Sequence, residues 1–472
     1  MKYEMVIGLE THVELNTKSK IFCSCGGHSE AKEPNDCVCP ACSGMPGMLP
    51  VMNKRVVELA VTAGLMLNCD INRYSTFDKK NYYYPDLPCA YQITQLNHPI
   101  CTNGKVTLKT SDGSRDIRIK QIHMEEDAGK LVHKGKYSYV DFNRTSVPLI
   151  EIVTQPDFRS AEEVITYLNK LKSMFISGGI SECEEGAMRC DVNISVRPEG
   201  STEFGVRTEI KNMSSFENIE RAISYEAQRH IDAIEFDLEE LVQETRRFDE
   251  VSGKTFAMRD KETEADYRYF PDPNLMPIII DDEWIAKITA EKPVAVDEKI
   301  EYYRDVDISE KEISVLVSSP RASALLDDVI ALGCNPKDAA AWILTDCAGI
   351  LRKIGKTIED IEFSAKDLAA IMKMVSDETI NRNAGKSALT ALIENGKDPV
   401  AFCKENGLDK KFDASDISAV IDKVIADNME AVESFRSGKV KAFQALFGAC
   451  MRELKGAGNH AVIKEMLENK LK

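Results

Sequence analysis

In GLETHVEL, residues 8–15, Glu10, His12 and Glu14 alternate with Leu9, Thr11, Val13 and Leu15. That is the period of a β-strand with one apolar face. The other face lines up a carboxylate, an imidazole and a carboxylate. Four further stretches end or run in the same way. VPLIEIV, residues 147–153, holds Glu151 as its only charge, and a carboxylate in such a run is costly unless a cation or strong donor meets it. AMRCDVNISV sets Arg189, Asp191, Asn193 and Ser195 opposite Met188, Cys190, Val192, Ile194 and Val196. GVRTEIKNM puts Arg207, Glu209 and Lys211 on one face, and QIHMEEDAGK ends in Glu125, Glu126 and Asp127 before Gly129 and Lys130. Carboxylates gathered with Arg and Lys suit Mg²⁺ and polyphosphate, the former holding the ion and the latter meeting phosphate oxygens. His12 fits Mg²⁺ poorly and suits a borderline ion better; orienting a neighbour or acting as a base are its other roles.

A second constellation is made of cysteines. Of fourteen, Cys23, Cys25, Cys37, Cys39 and Cys42 fall in one short segment. Without a secretory signal, such clustering reads as a metal site rather than a disulfide framework. C-x-C at Cys23 and Cys25 with C-x-x-C at Cys39 and Cys42 supplies two chelating pairs for a closed, structural zinc site. Cys37 is a spare thiol or a competing ligand.

These residues need elements to hold them. At 472 residues the chain is long enough for two or three domains. Up to about Ile210, short alternating runs and turn signals dominate, with Asp112-Gly113 between VTLKTS and DIRIKQI marking a hairpin. SAEEVITYLNKLKSMF reads as a helix opened by a Ser160–Glu163 capping box. After Pro293 the pattern turns helical: Ser364 with Asp367 opens one amphipathic run, and Ser415 to Phe435 supplies another. The fold class is therefore α+β, a strand-rich region followed by an all-helical one. The formal net charge of −17 excludes indiscriminate nucleic-acid or DNA binding and leaves room for local basic patches. MKYEMVIG enters a strand pattern without an apolar signal core, and no stretch has the length of a membrane span, so a cytoplasmic protein is expected.

The motifs FCSC…CPACSGMPGMLPVMN, DKKNYYYPDLPCAYQITQ, IHMEEDAGK, VDFNRTSVPLIEIVTQPD, AMRCDVNISVRP, RTEIKNMSSFENIERAI and DYRYFPDPNL occur in an order and spacing that resembles the GatB/GatE family, the B subunits of tRNA-dependent amidotransferases. The similarity runs over essentially the whole chain. It implies an antiparallel-sheet cradle domain over 1–293, a helical domain over 294–405 and a YqeY-like tail over 406–472, within a GatB/YqeY-type region of about 326–472. The activity implied is ATP-dependent phosphorylation of the side-chain carboxylate of misacylated Glu-tRNA(Gln) or Asp-tRNA(Asn). Amidation follows, with ammonia from a partner amidase, GatA, in a complex completed by the small protein GatC.

By that resemblance Glu10, His12, Glu125 and Glu151 form the Mg²⁺ constellation, with Asp191 and Glu209 as secondary members. Arg189, Arg207 and Lys211 meet phosphate on the strength of charge and strand face alone. Lys79, Lys80 and Tyr82 in DKKNYYYPDLP mix cations with aromatics as a single-stranded CCA end requires. Arg436, Lys439, Lys441, Arg452 and Lys455 make a tail patch for tRNA phosphates. Some positions depart from the family pattern: Ser146 where glycine is usual, Ala187 for a small hydroxyl, Cys89-Ala90 where Lys with Gly or Asn is common, and GACMR and GAGNH in the tail. Such drift is what a non-catalytic tRNA-binding scaffold paralogue would show, whereas intact cleft carboxylates belong to an active enzyme. No amidase nucleophile motif is present, so ammonia must come from outside the chain.

Overall fold

Alternation of apolar and polar residues builds one large sheet in the computed structural model, which describes residues 2–27, 31–110, 113–184, 186–260, 266–291, 296–409, 414–436, 440–454 and 460–471. Its nine strands are Tyr3–Glu14 (β1), Asp70–Ile71 (β2), Cys101–Thr110 (β3), Gly113–Glu126 (β4), Pro148–Thr154 (β5), Met188–Pro198 (β6), Thr208–Met213 (β7), Glu244–Asp249 (β8) and Lys254–Asp260 (β9). Their spatial order is β9-β8-β7-β6-β1-β5-β4-β3-β2, so the first strand made is central. Every neighbouring pair is antiparallel except β7–β8, and that parallel pair is joined by the helix Phe216–Phe236, because parallel strands need a long crossover. Val6, Leu9, Val13, Ile150, Ile152, Val192 and Ile194 are buried. Helices Lys54–Met66, Ala161–Ser177 and Phe216–Phe236 pack on the sheet strands.

The expected hairpin is β3–β4, with Gly113 paired to Thr110; Asp112 lies outside the described residues. Ser160 caps Ala161–Ser177 as expected, its Oγ accepting from the Glu163 N–H at 3.1 Å. The capping box is not closed. Glu163 takes the Arg159 N–H at 2.6 Å on one oxygen and pairs with Arg115 at 2.6 Å through the other instead, the second a charge-assisted contact from β4. A small sheet of Asp78–Asn81, Tyr91–Thr94 and Phe270–Pro271 adds a second layer, with Tyr91–Thr94 packed on β4.

The chain divides into two compact units, Met1–Val296 and Asp297–Lys472. The second contains two apolar cores. One gathers Tyr303, Leu326, Trp342 and Leu389. The other gathers Ile417, Ile421, Leu446 and Ile463 from the helices Ala414–Asp427, Val440–Glu453 and His460–Leu471. Ser364 and Asp367 do form a capping box at Ala365–Ser376. The run expected from Ser415 to Phe435 is two helices, Ala414–Asp427 and Met429–Arg436. No helix of the described residues is long and apolar enough to cross a membrane.

Candidate functional site

Register converts the alternating patterns into a site. One ladder row crosses four strands: Arg189 on β6 faces His12 on β1, His12 faces Glu151 on β5, and Glu151 faces His123 on β4. Two residues along, Asp191 faces Glu10, and one further step brings Asn193 against Glu209 on β7. Because side chains alternate with period two, all these groups leave the same sheet face.

The carboxylates expected as one constellation separate into two clusters. His12, Glu125 and Glu151 place one ligand atom each within 4.8 Å of one another, and so do Glu10, Asp191 and Glu209. In the first, His12 Nε2 lies 3.2 Å from Glu125 Oε1 and 3.3 Å from Glu151 Oε2. His123, not singled out from the sequence, completes it with Nε2 at 2.9 Å from Glu151. Its position two residues before Glu125 in an alternating run was the available signal. Burial works against both imidazolium ions, but Glu151 and Glu125 override it and raise His12 well above the ordinary value and His123 above it. Burial likewise opposes ionisation of Glu125 and Glu151, and the two are nevertheless held low, Glu125 chiefly by His12 and Glu151 by His123 and His12.

In the second cluster Lys211 Nζ sits 2.9 Å from Asp191 and 3.2 Å from Glu209. The Asn212 N–H donates to Asp191 at 2.8 Å, Asn193 Nδ2 to Glu10 at 2.9 Å and Thr245 Oγ1 to Glu209 at 3.1 Å. Three carboxylates that place one oxygen each this close together, two of them buried, are a donor set that a divalent cation suits. Ligand oxygens on a Mg²⁺ octahedron lie about 3–4 Å apart, given bonds of about 2.1 Å, so the oxygen cluster fits that ion. A cavity of about 320 Å³ touches both clusters, with Glu10, Glu125, Glu151, Glu209, Lys80 and Lys211 on its wall.

Arg189 is engaged with Asp127 at 2.7 Å, at the end of β4. Arg207 departs from expectation. The strand begins only at Thr208, so Arg207 is an exposed residue before it and is not on the cavity wall. Lys79 also differs: it is buried, with Nζ 3.7 Å from Asp272 and 4.1 Å from the Tyr91 ring centre. A desolvated ammonium needs such partners, so its charge is consumed inside the fold. Lys80 and the half-buried Tyr82 remain at the surface of this region. Arg436 and Arg452 are exposed on their helices; Lys441 lies in Val440–Glu453, and Lys439 and Lys455 lie outside the described residues.

The sulfurs of Cys23, Cys25, Cys39 and Cys42 lie within 4.8 Å of one another. Four thiolates at about 2.3 Å from tetrahedral zinc would be about 3.8 Å apart, so the donor set and its geometry fit. Cys37 stays outside the group, its N–H donating to Asn143 Oδ1 at 2.8 Å. Lys20, also missed from sequence, is buried with Nζ donating to Cys37 O at 2.8 Å and lying 3.6 Å from Cys42 Sγ. Its cation would offset the charge of a four-thiolate centre formed there.

Two departures noted in the sequence fall where backbone geometry matters. Ser146 has φ +60° and Ala90 φ +57°, the left-handed region that glycine tolerates best. Ser146 donates from Oγ to buried Glu126 at 2.5 Å, a bond glycine could not make.

The chain thus joins a mostly antiparallel sheet bearing two clusters of metal-ligand type to a four-cysteine group and a helical region. Residues 5–286 match the GatB/GatE catalytic domain and residues 324–471 the GatB domain; the chain belongs to the GatB/GatE family. Relatives include the B subunit of the aspartyl/glutamyl-tRNA(Asn/Gln) amidotransferase of Caldicellulosiruptor saccharolyticus, 46% identical over 483 residues and spanning 100% of this chain and 99% of that protein. The corresponding protein of Agathobacter rectalis is 46% identical over 98% of both chains, and that of Thermodesulfovibrio yellowstonii 43% identical over 100% of both.

Proposed function

We infer that this chain is the tRNA-processing subunit of an aspartyl/glutamyl-tRNA(Asn/Gln) amidotransferase, converting misacylated Glu-tRNA(Gln), Asp-tRNA(Asn) or both. The observation that carries this reading is the pair of carboxylate clusters on one cavity, in a chain that matches such proteins end to end. In the reaction a side-chain carboxylate oxygen attacks the γ-phosphorus of ATP, the bond to ADP breaks, and an acyl phosphate forms. Ammonia then attacks the carbonyl carbon, and phosphate leaves with the bonding pair. Mg²⁺, held by Glu10, Asp191 and Glu209 or by His12, Glu125 and Glu151, would neutralise phosphate charge as it shifts. Lys211 fixes Asp191 and Glu209 and presents the remainder of its charge to the cavity. Lys80 faces the same space, so an anionic reactant entering it meets two ammonium groups. His123 and His12 orient Glu151 through the hydrogen bonds described above.

Ammonia would be supplied by a GatA-type amidase with GatC as the small third component, because this chain shows no amidase nucleophile motif. The cytoplasm, where translation runs, is the site of action. The sheet domain over 1–293 would perform the chemistry, and the helical domains over 294–405 and 406–472 would hold the tRNA. The cysteine site would hold structural zinc, which metal analysis of the purified chain against Cys42→Ser checks.

The decisive experiment measures phosphate release from ATP by the assembled complex, with and without Glu-tRNA(Gln) and Asp-tRNA(Asn), and with Glu151→Gln. Release that requires misacylated tRNA and falls about a hundredfold or more in the variant is expected. A complex that binds the tRNA yet releases no phosphate would instead be a scaffold.

A further inference from the structure

Part of the same cavity wall is aromatic. Tyr267 and Tyr269 line it together with Lys80. Lys80 Nζ lies 4.9 Å from the Tyr267 ring centre and 5.8 Å from that of Tyr82. Tyr267 meets Tyr82 at 6.0 Å and 78°, and Tyr269 at 6.0 Å and 64°. Edge contacts of this kind brace the rings without stacking one on another, and all three tyrosines are only half-buried.

The segment that carries them is pinned. The Asn81 N–H donates to Tyr267 O at 2.9 Å, and Asn81 Nδ2 donates to Arg268 O at 2.8 Å. Arg268 itself sits at φ +42°, a conformation that costs an arginine about 1 kcal/mol or more and persists only where neighbours over-determine it. Phe270 and Pro271 then pair with Lys79 and Asp78. These contacts hold Tyr267 and Tyr269 on one wall, with the intervening Arg268 exposed.

We propose that Tyr267, braced by Tyr82 and Tyr269 and backed by Lys80, is a stacking platform for an adenine ring whose reacting end lies among the carboxylate clusters. The proposal rests on the amidotransferase reading and adds to it the place and chemistry of base recognition. A rigid aromatic wall beside a cation recognises flat heterocycles regardless of the groups they carry. Two reactants end in adenosine: ATP, and the 3′-terminal residue of tRNA, which bears the amino acid. Either would set its anionic end toward Lys211 and the carboxylate-bound ion.

The test uses the assembled complex carrying Tyr267→Ala or Tyr267→Trp, with thermal unfolding compared to the parent. Two equilibrium affinities are measured: that for ATP with Mg²⁺, and that for the tRNA ending in CCA relative to the same tRNA ending in CC. The alanine variant should lose about 5- to 150-fold in whichever affinity reads adenine, and the tryptophan variant should keep it within about threefold. Loss of ATP affinity alone assigns the platform to the nucleotide. Disappearance of the preference for CCA over CC alone assigns it to the tRNA end. If neither quantity moves in Tyr267→Ala, or Tyr267→Trp fails as badly as alanine, the platform is overturned. Both are binding measurements, so a parent complex that binds normally but releases no phosphate would count against the catalytic reading and leave this proposal to be judged on its own.

Discussion

At the scale of single residues, Ser146 shows how local geometry and side-chain chemistry trade against each other. Its φ of +60° strains any side chain, while its hydroxyl serves a buried carboxyl group whose other oxygen takes the Ile93 N–H at 2.9 Å. Ser146→Ala keeps the strain and loses the donor, and should destabilise the chain by about 1–3 kcal/mol. Ser146→Gly loses the donor but relieves the strain, and should stand about 1 kcal/mol above the alanine variant. Chemical denaturation of both variants decides. Equal stability would mean that the left-handed backbone costs nothing here. Lys20 and His123 belong at this scale too. Each is one polar residue in a short motif, and each gains its meaning only from partners brought from elsewhere in the fold.

At the scale of elements, the helix Phe216–Phe236 is tied to the sheet through buried charge. Glu226 accepts from Arg229 Nε at 2.9 Å and Thr255 Oγ1 at 2.6 Å, with His230 Nε2 at 3.3 Å. Burial pushes its pKa up, but His230, Arg229 and Thr255 outweigh burial and bring it down to about 2. The unfolded carboxyl titrates near 4.5, so the ionised form stabilises the fold in full above that pH and ceases to do so as pH falls toward 2. Glu226→Gln should cost about 3 kcal/mol at neutral pH. The gap to the parent should close between about pH 4.5 and 2; a gap that stays constant down to about pH 3 would remove the ionic explanation. This network also sits behind Thr208 and Thr245, which flank or hold Glu209. Elements of this kind were legible from the alternation in GLETHVEL and AMRCDVNISV, and from Ser364 with Asp367. What alternation cannot express is register. That Glu10 joins Asp191 and Glu209 while His12 joins Glu125 and Glu151 depends on which residues of distant strands face each other, and no local pattern encodes it. The Ser160 box failed for the same reason, because Arg115 arrives from another strand.

At the scale of the whole molecule, the acidic balance makes any exposed basic side chain a contrast with its surroundings. Arg436 and Arg452 are exposed on helices of the second unit. If they meet tRNA phosphates, Arg436→Glu with Arg452→Glu should weaken tRNA binding by the assembled complex. The slope of log affinity against log salt should also fall, by about one for each phosphate that is no longer neutralised. Unchanged affinity and slope would leave them as solvated surface. Family membership was readable from motif order, and the overall α+β division from the change of periodicity after Pro293. The uses of Lys79 and Arg207 were not, since burial and the start of a strand are decided by packing.

The central position of β1 sets a schedule for synthesis. The ribosome makes Tyr3–Glu14 before either of its partners, Pro148–Thr154 and Met188–Pro198. At about 5–20 residues per second, roughly 10–40 s pass before the second partner is complete. Until Thr154 is made a strand carrying Val6, Ile7, Leu9 and Val13 has both edges unpaired, and until Pro198 is made it still has one. The nascent chain, rather than the finished enzyme, is therefore the form most exposed to aggregation, and conditions that slow translation between residues 14 and 198 should lower the yield of folded protein.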